Sequence, residues 1–211
     1  VNEFIICCGY KGYLIKEFFA NFFLHSSDFS INLKNNELEI INQNLDPWKV
    51  TVIDTGSHTM TAGRLKRVRN YLEKDQKFFL TYGDGLANVD LKSLLTKHIS
   101  SDKKVTLTGV LPVGRFGALK LNGDTVTGFT EKPVGEDGFI NGGFFVVDTS
   151  VLEMIKGDES VWETDILSKL ALTNSLGIYK HIEFWQPMDT LREKNVLEEL
   201  WNNGNAPWKV W

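Results

Sequence analysis

Two cysteines, four histidines and five prolines are all that this chain of 211 residues holds of those types, and each scarcity excludes something. Cys7 and Cys8 are neighbours in an apolar, strand-like run. Their side chains point to opposite faces, so they make neither a disulfide nor a metal pair, and two reduced, buried thiols are expected. His25, His58, His98 and His181 are scattered without ligand spacing, which reads as structural or exposed rather than catalytic. Proline and glycine stand singly and never as a hinge-like tract, so no domain boundary is legible. No apolar run approaches the length of a membrane span, and the opening "VNEF" lacks a basic-then-apolar signal. No membrane partner and a cytoplasmic location are therefore expected. Basic charge is short as well: the formal net charge is −4, which argues against nucleic acid held through its phosphates. The most basic stretch, "RLKRVR" from Arg64 to Arg69, reads as a solvated helix face.

What is present describes an ordinary packed domain. With 42% hydrophobic and 24% charged residues, neither disorder nor fibre is indicated, and the length suits one domain with a proper core. "EFIICCGY" is a strand ending at Gly9, and "YLIKEFFANFFLH" places apolar residues at 14, 15, 18, 19, 22 and 23, a helical spacing whose phenylalanine stripe reads as core packing. "SINLKNNELEII" alternates on both sides of Asn35-Asn36 and reads as a hairpin. A strand at 49 to 56, a helix at 61 to 73 and the apolar strand "KFFLTY" follow, then a helix from about Asp90 with that aspartate as its N-cap. Alternating strands and helices imply a doubly wound α/β core with a mixed sheet and helices on both faces. The second half is rich in strands ("KVTLTGVL", "GALKL", "TVTGFTEK", "FINGGFFVVD"), which implies an antiparallel extension. Helices are expected again at about 149 to 156, 163 to 173 and 189 to 203.

The chemistry gathers at turns. In "FFLTYGDGLANVD" an apolar strand stops at Asp84, held between Gly83 and Gly85. In open parallel sheets, ligands collect beyond the carboxyl ends of the strands. Glycines on both sides give the backbone room for unusual angles and for a close ligand, although Asp-Gly is also a common turn. A second carboxylate, Asp189 in "PMDTLRE", stands where a helix begins after "KHIEFWQP", and an N-cap is the plain reading of it. Two carboxylates converging on one crevice would suit Mg²⁺, which prefers oxygen ligands and keeps a phosphate substrate as a further ligand.

"TYGDG", "FTEKP", "INGGFFV" and "FWQPMDTLRE", in this order, resemble the sugar nucleotidyltransferase family. "IICCGYKGYLIKEFFANFFLH", "DTGSHTMTAGRLKRV" and "APWKVW" are similar to the branch of it that works on CTP and glucose 1-phosphate. The resemblance covers essentially the whole chain. It implies a Rossmann-like nucleotide-diphospho-sugar transferase fold in one domain, with 1–110 as the nucleotide half and 111–211 as the sugar-phosphate half. The implied reaction is direct transfer: an oxygen of the sugar phosphate attacks the α-phosphorus in line, and pyrophosphate leaves. Asp84 and Asp189 match the two metal ligands. Thr59, Arg64 and Gly83 match the nucleotide-binding positions, where the planar fork of Arg64 suits a base edge or a phosphate. Glu131, Lys132, Asn141 and Gly142 match positions that hold the sugar phosphate. A homo-oligomer is implied as well.

One departure is expected to matter. The family opens with a strand, a glycine-rich loop containing arginine and a Lys-Pro-Lys segment, and nothing here matches that opening; Gly9-Tyr10-Lys11-Gly12 matches a different position. Without those N–H groups and cations a triphosphate loses binding energy, so the isolated chain is expected to be inactive or nearly so. Two other functions stay open: the same transfer with dTTP or UTP, and a non-catalytic regulatory or binding subunit.

Overall fold

The computed structural model describes residues 1–43, 47–112, 118–130 and 138–210. They form two compact units, one from Val1–Lys74 with Leu152–Ile166 and the other from Asp75–Val151 with Leu167–Trp211.

In the first unit the order is β1 (Glu3–Cys8), α1 (Gly12–Ala20), α2 (Phe22–His25), β2 (Ser27–Asn32), β3 (Glu37–Gln43), β4 (Lys49–Asp54), α3 (Thr61–Arg67) and α4 (Arg69–Leu72). β1 and β4 pair in parallel from Glu3↔Lys49 to Cys8↔Asp54. β2 and β3 form the expected hairpin, and Asn36 takes the left-handed conformation its turn needs, φ 58°. The helix expected at 61 to 73 is broken at Val68, and no side chain caps its start. Backbone carbonyls satisfy its first N–H groups instead, since Met60 N–H donates to Asp158, and Ala62 and Gly63 donate to Ser160. The approach is close, since a Cβ on Gly63 would lie 2.5 Å from the Asp158 oxygen. Ala62, Leu65, Val68 and Leu72 are buried, as are Leu152, Ile155 and Trp162.

The phenylalanine stripe does not pack as expected. Leu14, Ile15, Phe18 and Phe23 are exposed, and the buried residue of α1 is Gly12, set against Cys8. The rings pack on one another instead, with Phe18 5.1 Å from Phe19 and 5.6 Å from Phe22. Two paired strands offer less apolar area than a stripe of this size needs, so the face is not covered by the described residues of this unit.

The second unit holds β5 (Lys77–Thr81), β6 (Gly85–Ala87), α5 (Leu91–Ile99), β7 (Val105–Val110), β8 (Ala118–Asn122), β9 (Thr125–Thr130), β10 (Ile140–Asp148), α6 (Ser168–Leu172), β11 (Leu176–His181), β12 (Trp185–Pro187) and α7 (Leu191–Asn202). Its main sheet has the order β11-β7-β10-β5. β10 runs antiparallel to β5 and β7, while β7 and β11 are parallel, so the sheet is mixed. Val105, Val110, Phe145, Val146 and Val147 are buried in it with Leu94 of α5, consistent with strands covered on both faces. β8 and β9 form a separate hairpin, the antiparallel extension expected of the second half. Asp90 caps α5 as expected, accepting from the Lys92 and Ser93 N–H groups.

Candidate active site

β5 ends at Thr81, and Tyr82, Gly83 and Asp84 lead into β6. β12 lies antiparallel on β6, with Trp185↔Ala87, Gln186↔Leu86 and Pro187↔Gly85. One bond beyond that ladder, Met188 N–H donates to the Asp84 carbonyl at 2.7 Å. The backbone therefore carries Asp189 to within one residue of the partner of Asp84, and both carboxylates are exposed. Asp189 is not the N-cap its position suggests. Thr190 takes that place: its hydroxyl accepts from the Glu193 N–H at 3.2 Å, and the Glu193 carboxylate accepts from the Asp189 and Thr190 N–H groups at 2.9 Å each.

Asp84 lines a small cleft of about 40 Å³, together with Thr81 and Tyr82, the segment from Asn141 to Phe144, and Trp185. That space suits an ion with its waters. The unusual backbone angle is not beside Asp84: neither Gly83 nor Gly85 has positive φ, whereas Gly143 has φ +81°. A Cβ on Gly143 would meet the Tyr82 ring at 2.8 Å and one on Gly142 would meet Val110 at 2.6 Å, while Gly83 has nothing within 4 Å. Gly83 is thus the open glycine, and Gly142 and Gly143 are the ones that packing requires. Their neighbourhood is irregular: the ladder to β7 skips from Asn141↔Gly109 to Phe145↔Leu107, a bulge of the kind found near sites. Asn141 accepts from the Gly143 N–H at 3.0 Å and directs its own N–H group at the Tyr82 hydroxyl, 3.4 Å away. The Trp185 indole N–H donates to the Gly142 carbonyl at 2.9 Å.

Thr59 and Arg64 belong to the first unit. Thr59 is buried, and its hydroxyl lies where a Cβ on Gly56 would be 2.8 Å away. Arg64 is half-buried rather than a solvated charge. Its Nη1 donates to the Cys8 carbonyl at 3.0 Å and to the Thr55 hydroxyl at 2.7 Å, and its guanidinium fills the space beside Gly9. Of the rest of the basic stretch, Arg67 pairs with Asp158 at 2.5 Å, Arg69 pairs with Glu73 and Glu153, and the Lys66 ammonium donates to the Lys156 carbonyl. Burial raises the thiols of Cys7 and Cys8; at Cys7 the Arg64 charge pulls the other way.

Of the sequence-predicted residues, Gly83, Asp84, Asn141, Gly142 and Asp189 fall in the second unit, with Asp84, Asn141 and Gly142 on the cleft itself. Glu131 and Lys132 lie outside the described residues. Trp185 and Tyr82 were not singled out from the sequence. The one signal for Trp185 is that an indole N–H away from water needs an acceptor. Among the described residues no group of three or more acidic, histidine or cysteine side chains could hold a metal ion, and none of their helices is long and apolar enough to cross a membrane.

Comparison with known proteins identifies the family. Residues 23–185 match the model of the family described as nucleotidyl transferase. A glucose-1-phosphate cytidylyltransferase of Salmonella typhimurium is 50% identical over 211 residues, which cover 100% of this chain and 82% of that protein. A probable glucose-1-phosphate cytidylyltransferase of Bacillus subtilis is 37% identical over 212 residues, with the same coverage. Among solved structures, HddC of Yersinia pseudotuberculosis matches with a TM-score of 0.65 at 21% identity, over 95% of this chain and 79% of that one, which speaks for the fold.

Proposed function

The chain belongs to the nucleotidyl transferase family, among its glucose-1-phosphate cytidylyltransferases, and on that premise we propose that it converts CTP and glucose 1-phosphate to CDP-glucose and pyrophosphate. The observation that carries the reading at the site is the 2.7 Å backbone bond from Met188 to Asp84, which draws Asp84 and Asp189 to adjacent strand ends. A phosphate oxygen of the sugar forms a bond to the α-phosphorus of CTP, and the bond to the bridging oxygen breaks, its electron pair leaving with pyrophosphate. Asp84 and Asp189 would hold Mg²⁺. Two carboxylates, with no third acidic ligand grouped with them among the described residues, fit an ion that keeps waters and substrate phosphates in its shell. When bound, it neutralises phosphate charge.

The protein residues then bind and orient. Thr59, Arg64 and Gly83 serve the nucleotide: Arg64 spends one nitrogen on the Cys8 carbonyl and has further N–H groups to give, and open Gly83 admits the ligand to the backbone. Glu131 and Lys132 serve the sugar phosphate as carboxylate acceptor and point charge, with Asn141 and Gly142 on the sugar hydroxyls. Positioning and charge neutralisation supply the rate. The reading includes a cytoplasmic homo-oligomer; the exposed apolar side chains of α1, β2 and β3 support association.

Pyrophosphate release from CTP with glucose 1-phosphate, measured with and without Mg²⁺ on this chain and on the chain joined to the family's glycine-rich opening, tests the proposal, with turnover expected in the joined protein. Asp84→Asn or Asp189→Asn is expected to lower turnover by roughly two orders of magnitude, the scale for loss of one charge-stabilising group, with glucose 1-phosphate binding by calorimetry retained. Full turnover in both variants would overturn the reading. Equal turnover with dTTP or UTP would overturn the choice of nucleotide.

A further inference from the structure

We infer that Trp185 is a positioning residue for the sugar-phosphate site, acting through a single peptide plane; this rests on the role given to Asn141 above. The carbonyl of Gly142 and the N–H of Gly143 belong to one peptide unit. Its oxygen accepts from the Trp185 indole at 2.9 Å, and its N–H donates to the Asn141 side-chain oxygen at 3.0 Å. The indole fixes the plane, the plane fixes the amide, and the amide nitrogen is left facing the Tyr82 hydroxyl on the cleft wall.

This support is needed because the segment has little of its own beyond one main-chain bond, from the Tyr82 N–H to the Gly143 carbonyl at 3.3 Å. Both residues are glycine, Gly143 has φ +81°, and the backbone ladder to β7 is interrupted between Asn141 and Phe145. A Gly-Gly peptide without side chains has wide conformational freedom, and an Asn amide without a fixed partner presents either end to a ligand. The indole is itself well placed. It rides on β12, which pairs with β6, and its Nε1 passes 3.8 Å from where a Cβ on Gly85 would stand. The preceding residue, Phe184, is itself held, its ring packing on Trp208 with centroids 5.5 Å apart. One side chain thereby ties the Asn141 amide to the strand pair that carries Asp84 and leads to Asp189.

The test uses the chain joined to the family's glycine-rich opening, with Trp185→Phe, Asn141→Ala and the double variant, and with Trp201→Phe as an exposed-indole control. Trp185→Phe keeps a ring and removes the donor, so it should raise KM for glucose 1-phosphate about tenfold, the worth of one buried hydrogen bond. KM for CTP and kcat should stay within about twofold. Since both residues act on one amide, the double variant should be no worse than Asn141→Ala alone. Fully additive losses, or an unchanged KM in Trp185→Phe, overturn the inference. An unchanged KM in Asn141→Ala, or a wild type that releases no pyrophosphate, overturns instead the reading on which it rests. A measurement independent of turnover separates the two: hydrogen exchange at the Gly143 amide should speed up roughly tenfold in Trp185→Phe. Unchanged exchange shows that the indole does not hold the plane.

Discussion

Gly83 and Gly143 face the same neighbourhood and should respond oppositely to the same substitution. Nothing lies within 4 Å of a Cβ on Gly83, whereas Gly143 combines φ +81° with a Tyr82 carbon at 2.8 Å. Gly83→Ala is expected to change unfolding free energy by less than about 0.5 kcal/mol, so that any loss of turnover reports ligand approach. Gly143→Ala should cost about 1–3 kcal/mol, and urea denaturation checks both. The sequence pointed to the glycines beside Asp84 for the strained backbone, because a dipeptide pattern cannot tell which of several glycines the tertiary contacts will crowd. The cysteines were legible in part: Cys8 is buried as an apolar strand run implies, whereas Cys7, on the opposite face of β1, is only half-buried. Their thiol pKa values are raised, chiefly by burial, so thiolate is scarce at neutral pH. Alkylation of the native protein should be slow at pH 7.5, rise only well into the alkaline range, and become fast at once on denaturation. Rapid native alkylation at neutral pH would contradict the burial argument.

Caps and turns were the most legible features at the level of elements, and helix faces the least. Asp90 at the head of α5 and the Asn35-Asn36 hairpin follow from local chemistry alone. The stripe on α1 shows the limit of periodicity, which gives the side of a helix that is apolar and not what covers it. The helices expected at 149 to 156 and 163 to 173 proved to be a 3₁₀ turn over Thr149–Met154 and a wide π turn over Trp162–Leu167 continuing into α6, since tightness of winding leaves little trace in composition. At α7 the sequence reading puts the cap at Asp189, and the capping box with Glu193 shows that Thr190 holds that place instead. Thr190→Ala should cost about 1 kcal/mol by chemical denaturation. A second element-level lock is buried between α5 and the sheet, where His98 contacts the Thr106 hydroxyl at 2.9 Å and Asp148 at 3.1 Å, and Asp148 also meets Lys77 at 3.2 Å. Burial opposes the charge of Asp148, but the bonds from His98 and Lys77 outweigh it and hold the carboxyl below its ordinary range. The unfolded chain therefore takes up that proton first. Its contribution to stability is whole above about pH 4 and is lost as pH falls through the folded value. Urea midpoints followed from pH 6 to pH 2 should drop less steeply for Asp148→Asn than for the wild type.

For the molecule as a whole, the surface of the first unit is the outstanding property. Ile31, Leu33, Leu38, Ile40 and Ile41 of the hairpin region and Leu14 and Phe18 of α1 are all exposed, more than a soluble monomer usually leaves in contiguous stretches. Light scattering is expected to give a mass that is a multiple of the single chain, lowered by Ile31→Lys with Ile40→Lys; a monomeric wild type would remove the support for association. The break in the ladder at the head of β10 has a different bearing. From Phe145 to Val147 the strand is locked by main-chain pairing on both sides, while Gly142 and Gly143 have one main-chain bond there, from the Tyr82 N–H to the Gly143 carbonyl at 3.3 Å, and lean otherwise on neighbouring side chains. The rim is therefore the least exchangeable part of β10: any side chain at 142 or 143 has to displace Val110 or the Tyr82 ring, while the paired strand beyond it keeps its register.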